Sequence, residues 1–360
     1  MTDNFNLYEE VNKAVENALK SRGVANIMLA GKTGVGKSTL LNSVFQGNFA
    51  ETGQGRPITK STRKFTKEGV PVSIYDTRGL EIKDYKETLN ELENLIIKLN
   101  SSDDALEHIH ACWLCISEGG RRIEEAEIEL ANLLSRHNIP VIVVITKAMS
   151  DDGFRNKAIE LIPSARNHVR VNSIPLKLDG GISIPAIGLD NLVALTMEVI
   201  PDSQKNAFAA AQKVLLDAKV SRSHKVVAGS AASAATAAAV PVPFSDFIAI
   251  IPIQIGMLAG ISASFGLNLD KAFMGTLVSG TFSSVAGSMG GRALVGSLLK
   301  MFPGIGSAGG AAVSATVASS VTTLFGEAYI ATLYALLKED PTKDLSADEV
   351  TRAFKNKLSS

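Results

Sequence analysis

The feature that most constrains this 360-residue chain is the run Gly31 to Ser38, which fits the spacing G-x-x-x-x-G-K-S. An apolar stretch at residues 27–30 precedes the run, and a helix-forming segment follows it at about residues 39–45. In that setting a glycine-rich backbone wraps around phosphate groups, and the positive N-terminal end of the helix adds to the attraction. The sequence therefore predicts a phosphate-binding loop, with these ligand-contacting residues: Gly31, Lys32, Thr33, Gly34, Val35, Gly36, Lys37, Ser38 and Thr39.

Within this loop we expect Lys37 to contact the β- and γ-phosphates, as a catalytic and binding group, and Ser38 to ligate magnesium. A D-x-x-G run follows the apolar segment 72–75. Its Asp76 is predicted to hold the magnesium water shell, and the N–H of Gly79 to contact a γ-phosphate.

The polar loop between these two motifs, residues 53–63, supplies the expected switch threonine. We choose Thr59 as the residue that ligates magnesium through its hydroxyl, with Thr62 as the alternative. A plain solvated connection is the competing interpretation, because polar residues dominate ordinary loops as well.

Charge and cysteine content exclude several classes of protein. The formal net charge is zero, which argues against a nucleic-acid-binding protein that relies on a broad basic surface. Cys112 and Cys115 lie in an apolar segment and provide no disulfide framework, so we expect a reducing, cytoplasmic setting. Residues 1–20 have the pattern of an amphipathic helix rather than of a signal peptide.

Composition changes along the chain and predicts its domains. Up to about residue 200, helix-like and strand-like segments alternate, as in an α/β fold with a mainly parallel sheet and helices on both faces. The following region is rich in Ala and Gly and predicts an all-α fold. The expected divisions are an amphipathic helix at 1–22, a nucleotide-binding domain at 23–201, an apolar helical domain at 202–337 and a polar helix or tail at 338–360.

Three uncharged intervals in the apolar region, 247–269, 272–291 and 301–326, reach about the 20 residues that a helix needs to cross a bilayer. We therefore expect a cytoplasmic protein that associates with a membrane through one or more of these helices. The alternative is a soluble domain whose apolar helices pack on one another.

The order of the motifs resembles that of the translation-factor-related (TRAFAC) P-loop GTPases. Their fourth motif is N/T-K-x-D, and here Thr146 and Lys147 follow the apolar strand at 140–145. The resemblance covers about residues 26–200 and implies GTP or GDP with Mg²⁺ as ligands. It also implies that Thr146 and Lys147 face the base, together with Asn172 and Ser173 in the position of the fifth motif.

Over most of its length the chain resembles a bacterial family of GTPases whose C-terminal part is a domain of unknown function. Its G domain, the nucleotide-binding domain, is more distantly similar to the interferon-inducible immunity-related GTPases, which act at membranes. These resemblances imply a guanine nucleotide, membrane lipid, and a protein partner or self-association through the G domain as binding partners.

Two residues depart from the family pattern. Met149 stands where a guanine-reading aspartate belongs, and Asp151 or Asp152 would have to replace it. Leu80 stands where Ras-like enzymes carry the glutamine that orients water, so we expect slow hydrolysis unless an arginine assists. The candidate arginines, each of which is also open to interpretation as a solvated side chain, are Arg56, Arg78, Arg121 and Arg122.

The leading hypothesis is thus a magnesium-dependent GTPase that acts as a nucleotide switch. One alternative is a membrane or scaffold protein that binds nucleotide structurally, without significant turnover. An ATPase is the other alternative, because Met149 cannot read guanine as an aspartate does.

Overall fold

The computed structural model describes residues 6–46, 54–77, 85–102, 104, 106–150, 152–177, 179–238, 250–286 and 315–359. The chain forms two compact units. The first, called the sheet unit, is Gly23–Leu215, and the second, called the helical unit, is Met1–Arg22 together with Leu216–Ser360.

The sheet unit alternates strands and helices. Its strands are β1 (Ala25–Ala30), β2 (Gln54–Pro57), β3 (Thr62–Lys67), β4 (Val70–Thr77), β5 (Ala111–Ser117), β6 (Val141–Thr146), β7 (Asn167–Val171), β8 (Leu176–Lys177) and β9 (Ser183–Ile184). Its helices are α2 (Lys37–Val44), α3 (Tyr85–Asn100), α4 (Glu125–Arg136), α5 (Phe154–Leu161), α6 (Leu189–Val199) and α7 (Asp202–Ala211). Short 3₁₀ turns at Glu118–Gly120 and Asp179–Gly181 follow β5 and β8.

The main sheet has the order β2-β3-β4-β1-β5-β6-β7. The strands from β4 to β7 in that order run parallel, while β2 and β3 join antiparallel at one edge. Every residue of β1 and of β6 is buried, as expected for parallel strands covered on both faces. The predicted α/β fold, followed by a helical region, is confirmed.

One face of the sheet packs on α2, α6 and α7, and the other face on α3, α4 and α5. Trp113 on β5 stacks on Phe45 at a ring distance of 5.8 Å and meets the edge of Phe208 at 6.3 Å. Its indole N–H donates to the hydroxyl of Thr196 at 3.0 Å. Phe208 lies on α7, so its contact with Trp113 holds α7 in the sheet unit. The sheet unit therefore extends beyond Pro201, the expected end of the nucleotide-binding domain.

The helical unit consists of α1 (Leu7–Arg22), α8 (Leu216–Ala238), α9 (Ile250–Phe265), α10 (Lys271–Ala286), α11 (Ala315–Lys338) and α12 (Ala347–Ser359), among the residues described. The apolar face of α1, with Val11 and Val15, lies in the same core as Ile255 and Leu258 of α9. Phe354 of α12 packs against Tyr329 of α11 at a ring distance of 4.9 Å. The N-terminal helix is therefore part of the helical core.

The described helices give limited support to membrane spanning. Among them, Ala315–Lys338 alone has the length and apolarity to cross a bilayer, with a mean hydropathy of 1.3, and half of its apolar window is buried in this unit. Core helices of soluble proteins have the same properties. In the interval 247–269 the described helix is α9, with 16 residues, and residues 247–249 directly before it lie outside the described residues. Residues 287–314, which include parts of the other two intervals, lie outside the described residues.

Candidate nucleotide site

The predicted phosphate loop connects β1 to α2, and three of its glycines adopt positive φ. The values are 138° at Gly31, 78° at Gly34 and 102° at Gly36. A Cβ atom on Gly31 would stand 2.4 Å from the carbonyl oxygen of Cys115, whereas one on Gly34 would meet open space. The loop thus packs tightly on β5 at its start and is accessible at its centre.

Lys37, the first residue of α2, lies across this loop. Its Nζ donates to the carbonyl oxygen of Gly31 at 2.6 Å and to that of Lys32 at 3.0 Å. The side chain of Lys32 is paired with Glu124, the N-cap residue of α4. Ser38 and Thr39 are exposed in the first turn of α2. This arrangement presents a cation and a helix N-terminus at one place, as phosphate binding requires.

Asp76 lies at the same end of the sheet. It is paired in register with Leu29 of β1, two residues before the phosphate loop. Burial raises the pKa of the Cys115 thiol to about 12, and the charges of Lys37 and Asp76 respectively lower and raise this pKa. Gly79, and with it Arg78 and Leu80, falls outside the described residues.

The two cysteines behave as small apolar side chains. Cys112 contributes to the core on one face of the sheet and Cys115 to the core on the other. Both thiols are free and buried, and burial raises the pKa of each.

Thr59 lies in the turn that joins β2 to β3. Its hydroxyl oxygen accepts the backbone N–H of Ser61 at 3.2 Å and that of Thr62 at 3.0 Å. Ser61 in turn donates its hydroxyl to the carboxylate of Glu91 on α3, at 3.0 Å. Thr62, the alternative, is buried in β3 opposite Thr77. The polar loop expected at residues 53–63 contains the strand β2, which was not predicted.

The two residues at the end of β6 that are predicted to face the base are joined to the phosphate loop by hydrogen bonds. The hydroxyl of Thr146 donates to the carbonyl oxygen of Val35 at 2.6 Å, and Nζ of Lys147 donates to that of Gly34 at 2.7 Å. Lys147 adopts a φ of 53°, in the left-handed region. These two hydrogen bonds therefore hold the end of β6 against the phosphate loop.

The residues in the position of the fifth motif make structural contacts. The side-chain amide of Asn172 donates to the carbonyl oxygen of Pro185 at 3.0 Å. The carbonyl oxygen of Ser173 accepts the hydroxyl of Ser43 on α2 at 2.9 Å. These bonds fix the loop after β7 beside α2, and a direct contact with the base remains a prediction.

Met149 occupies the fourth position of the base motif, where the family pattern has an aspartate. Met149 is 52 % exposed. Asp152, one of the two expected replacements, is paired with Arg121. Asp151, the other, lies outside the described residues.

Glu118 is the residue of this site that sequence reasoning missed. It directly follows β5, is only 5 % exposed, and accepts the backbone N–H of Met149 at 2.6 Å and that of Ser150 at 3.2 Å. Its other oxygen accepts Nε of Arg170 at 2.6 Å. Burial by itself would raise the pKa of Glu118, but these three donors hold that pKa below its ordinary value. The sequence feature that points to Glu118 is an acidic residue directly after an apolar strand.

The site provides oxygen ligands for magnesium. Ser38 and Thr59 carry hydroxyls and Asp76 a carboxylate, the hard donors that Mg²⁺ prefers, and Mg²⁺ uses few protein ligands when phosphates supply others. Among the residues that the structure describes, no group of three or more His, Cys, Asp or Glu forms a metal cluster. Ser38, Thr59 and Asp76 therefore carry donors of the type that suits magnesium, and binding of the ion by these residues remains a prediction.

Comparison with known proteins agrees with this geometry. Residues 26–147 match the family model described as 50S ribosome-binding GTPase. The chain is 29 % identical over 119 residues to the tRNA modification GTPase MnmE of Malacoplasma penetrans, covering 32 % of this chain and 25 % of that protein. It is 27 % identical over 228 residues to MnmE of Herminiimonas arsenicoxydans, covering 61 % of this chain and 44 % of that protein.

Septin-14 of Mus musculus is 26 % identical over 168 residues, which is 39 % of this chain and 36 % of the septin. The chain thus spans less than half the length of each of these relatives. MnmE is named as a GTPase, in agreement with the GTPase family model that matches residues 26–147.

Proposed function

We propose that this chain binds GTP through the domain whose residues 26–147 match the GTPase family model, hydrolyses GTP slowly and acts as a magnesium-dependent switch; the similarity to MnmE supports the binding of GTP. The observation that carries this proposal is the bonding of Thr146 and Lys147 to the carbonyl oxygens of Val35 and Gly34. It brings the phosphate side and the base side of the site together, as one bound nucleotide requires.

Nucleotide binding depends first on Lys37. Its ammonium group is held by two neutral carbonyl oxygens, at 2.6 and 3.0 Å. Phosphate oxygens carry negative charge and therefore attract the ammonium group more strongly than neutral carbonyl oxygens do. We expect Lys37 to exchange its carbonyl partners for the β- and γ-phosphates. Magnesium, when bound beside Ser38, Thr59 and Asp76, neutralises charge on those phosphates.

Slow hydrolysis follows from the side chains available to orient water. Leu80 has no group that donates or accepts a hydrogen bond. Arg121 is occupied by Asp152, so it is a poor candidate for an arginine that stabilises the transition state. Lys37 and the N–H of Gly79 are the groups proposed to stabilise negative charge on the γ-phosphate.

The proposed switch involves the turn at Thr59. In the described state its hydroxyl caps the turn, and Ser61 holds the turn to Glu91 of α3. Movement of Thr59 to magnesium and the γ-phosphate would break this turn and release α3 from the β2–β3 hairpin. We propose that the helical unit transmits the change to a membrane surface, with Ala315–Lys338 as the helix whose composition supports that association.

The test is multiple-turnover phosphate release from GTP by the full-length protein, with and without liposomes. Lys37→Ala should abolish turnover, whereas Lys157→Ala, which removes an exposed lysine of α5, should not change it. Tight binding of GTP without turnover in every condition would favour the structural-binding alternative. Equal competition by ATP would favour the ATPase.

A further inference from the structure

The turn after Lys147 has all of its backbone donors directed inward. The N–H of Ala148 donates to the carbonyl oxygen of Val171 at 3.2 Å. The next two N–H groups, those of Met149 and Ser150, both donate to the carboxylate of Glu118. Three consecutive N–H groups are thereby satisfied by the protein itself.

The peptide geometry then fixes where the carbonyl groups of this turn point. The described backbone has no cis peptide bonds, and in a planar trans peptide the C=O points opposite to the N–H of the next residue. The carbonyl oxygens of Lys147, Ala148 and Met149 therefore point away from Val171 and Glu118. The opposite face of the turn offers acceptors.

Acceptors suit guanine better than adenine. The edge of guanine that an N/T-K-x-D aspartate reads carries two donors, the N1–H and the exocyclic 2-amino group. Adenine presents a lone pair at N1, has no 2-amino group, and offers a donor only at its 6-amino group. A site that pairs with donors rejects a base that lacks them, because buried polar groups are then left unpaired.

Resting on the function proposed above, we propose that Glu118 is the positioning residue for base selection. With Arg170, it holds the turn at 148–150 so that backbone carbonyl oxygens take the place of the missing aspartate and read guanine. The side chain of Met149, being 52 % exposed, is not required for selectivity. Arg170 supports this role because its Nε lies 2.6 Å from Glu118 and is largely shielded from solvent.

The experiment is calorimetric titration of the full-length protein with the magnesium complexes of GDP, inosine diphosphate and ADP. Inosine lacks only the 2-amino group, so it isolates one of the two donors. The wild-type protein should bind GDP more tightly than inosine diphosphate, and inosine diphosphate more tightly than ADP. Glu118→Gln should weaken the binding of GDP about tenfold or more, which is the scale of a lost charged hydrogen bond. It should also reduce two affinity ratios, that of GDP to inosine diphosphate and that of inosine diphosphate to ADP.

Two matched variants separate base selection from a general loss of structure. Met149→Ala should keep both ratios within about twofold of wild type. Glu93→Gln removes a partly buried carboxylate that pairs with His137, and it should change neither affinity nor ratio. Circular dichroism establishes that each variant is folded. If Glu118→Gln fails to fold, Arg170→Lys, which keeps the charge but loses the planar donor group, should reduce the same ratios.

Wild-type ratios in a folded Glu118→Gln protein, or in Arg170→Lys where that variant is used, would overturn the proposal. So would a collapse of the ratios in Met149→Ala. In each of those cases the wild-type protein still binds GDP and the proposed function stands. Failure of the wild-type protein to bind any of the three nucleotides would instead remove the proposed function itself.

Discussion

Nζ of Lys147 donates a hydrogen bond to the carbonyl oxygen of Gly34 over 2.7 Å, although the two residues are 113 positions apart. Thr146 adds a second bond, from its buried hydroxyl to Val35. The segment proposed to recognise the base and the loop proposed to bind phosphate are consequently coupled, and loss of either bond should affect both.

Thr146→Val tests this coupling. The substitution keeps the shape of the side chain and removes the hydroxyl that bonds to Val35, so the unfolding free energy of the sheet unit should fall by about 1–3 kcal/mol and GDP affinity should fall as well. Thr196→Val is the matched control, because it removes another buried hydroxyl, the one that accepts from Trp113. It should lower stability to a similar degree and leave the affinity of the folded protein unchanged. Equal GDP affinity in the two variants would contradict the coupling.

Gly31→Ala tests the packing of the phosphate loop on β5. A Cβ atom at residue 31 would stand 2.4 Å from the carbonyl oxygen of Cys115, and the backbone φ of 138° is one that alanine rarely adopts. The backbone must therefore move. We expect unfolding free energy to fall by about 3 kcal/mol or more, against about 1 kcal/mol for Gly34→Ala, which has a positive φ but open space. Urea denaturation measures both values. Equal losses would mean that the contact with Cys115 is of no consequence.

Thr59→Ala tests the proposed switch. Affinity for a non-hydrolysable GTP analogue should fall about tenfold, while affinity for GDP should change little, because only the triphosphate is expected to draw Thr59 to magnesium. Thr66→Ala, in the exposed part of β3, is the control and should leave both affinities unchanged. A parallel loss of GDP affinity in Thr59→Ala would indicate that Thr59 only stabilises its turn.

Lys219 gives the helical unit a pH dependence. It is buried, donates to the carbonyl oxygen of Phe265 at 2.8 Å, and burial, aided by the charge of Arg22, lowers its pKa to about 7. Between pH 7 and its unfolded value of 10.5 the unfolded chain binds a proton that the folded chain releases, so stability should rise with pH across this window.

Hydrogen exchange of α9, followed at pH 7 and pH 9 and corrected for the intrinsic rate, measures this dependence. Protection in the wild-type protein should increase with pH, and Lys219→Met should abolish the increase because it has no titratable group. The same increase in both proteins would assign the effect to other groups.

The sequence allowed the central part of the fold to be predicted because its signals were local. Continuous apolar runs such as residues 141–145 predict buried parallel strands, and the spacing from Gly31 to Ser38 predicts a strand, loop and helix. The strand β2 was missed because Gly55 and Pro57 discourage strand formation in isolation, and tertiary pairing with β3 outweighs that preference.

Other features depend on contacts between distant residues. The role of Glu118 depends on Arg170, 52 positions along the chain, and on the backbone of Met149, so its position after a buried strand marks the residue without showing its partners. The placement of α7 in the sheet unit similarly depends on Phe208 meeting Trp113 and Phe45. Such pairings arise when the chain folds, and an amphipathic pattern alone does not specify which partner a helix covers.

Calorimetric titration of the full-length protein with GDP and with ADP, each with magnesium, beside Lys37→Ala, tests the nucleotide site itself. We expect one site per chain, a clear preference for GDP, and loss of binding in a folded Lys37→Ala protein. Unchanged GDP binding by that variant, or no binding by the wild-type protein, would contradict the assignment of residues 31–39 as a nucleotide site.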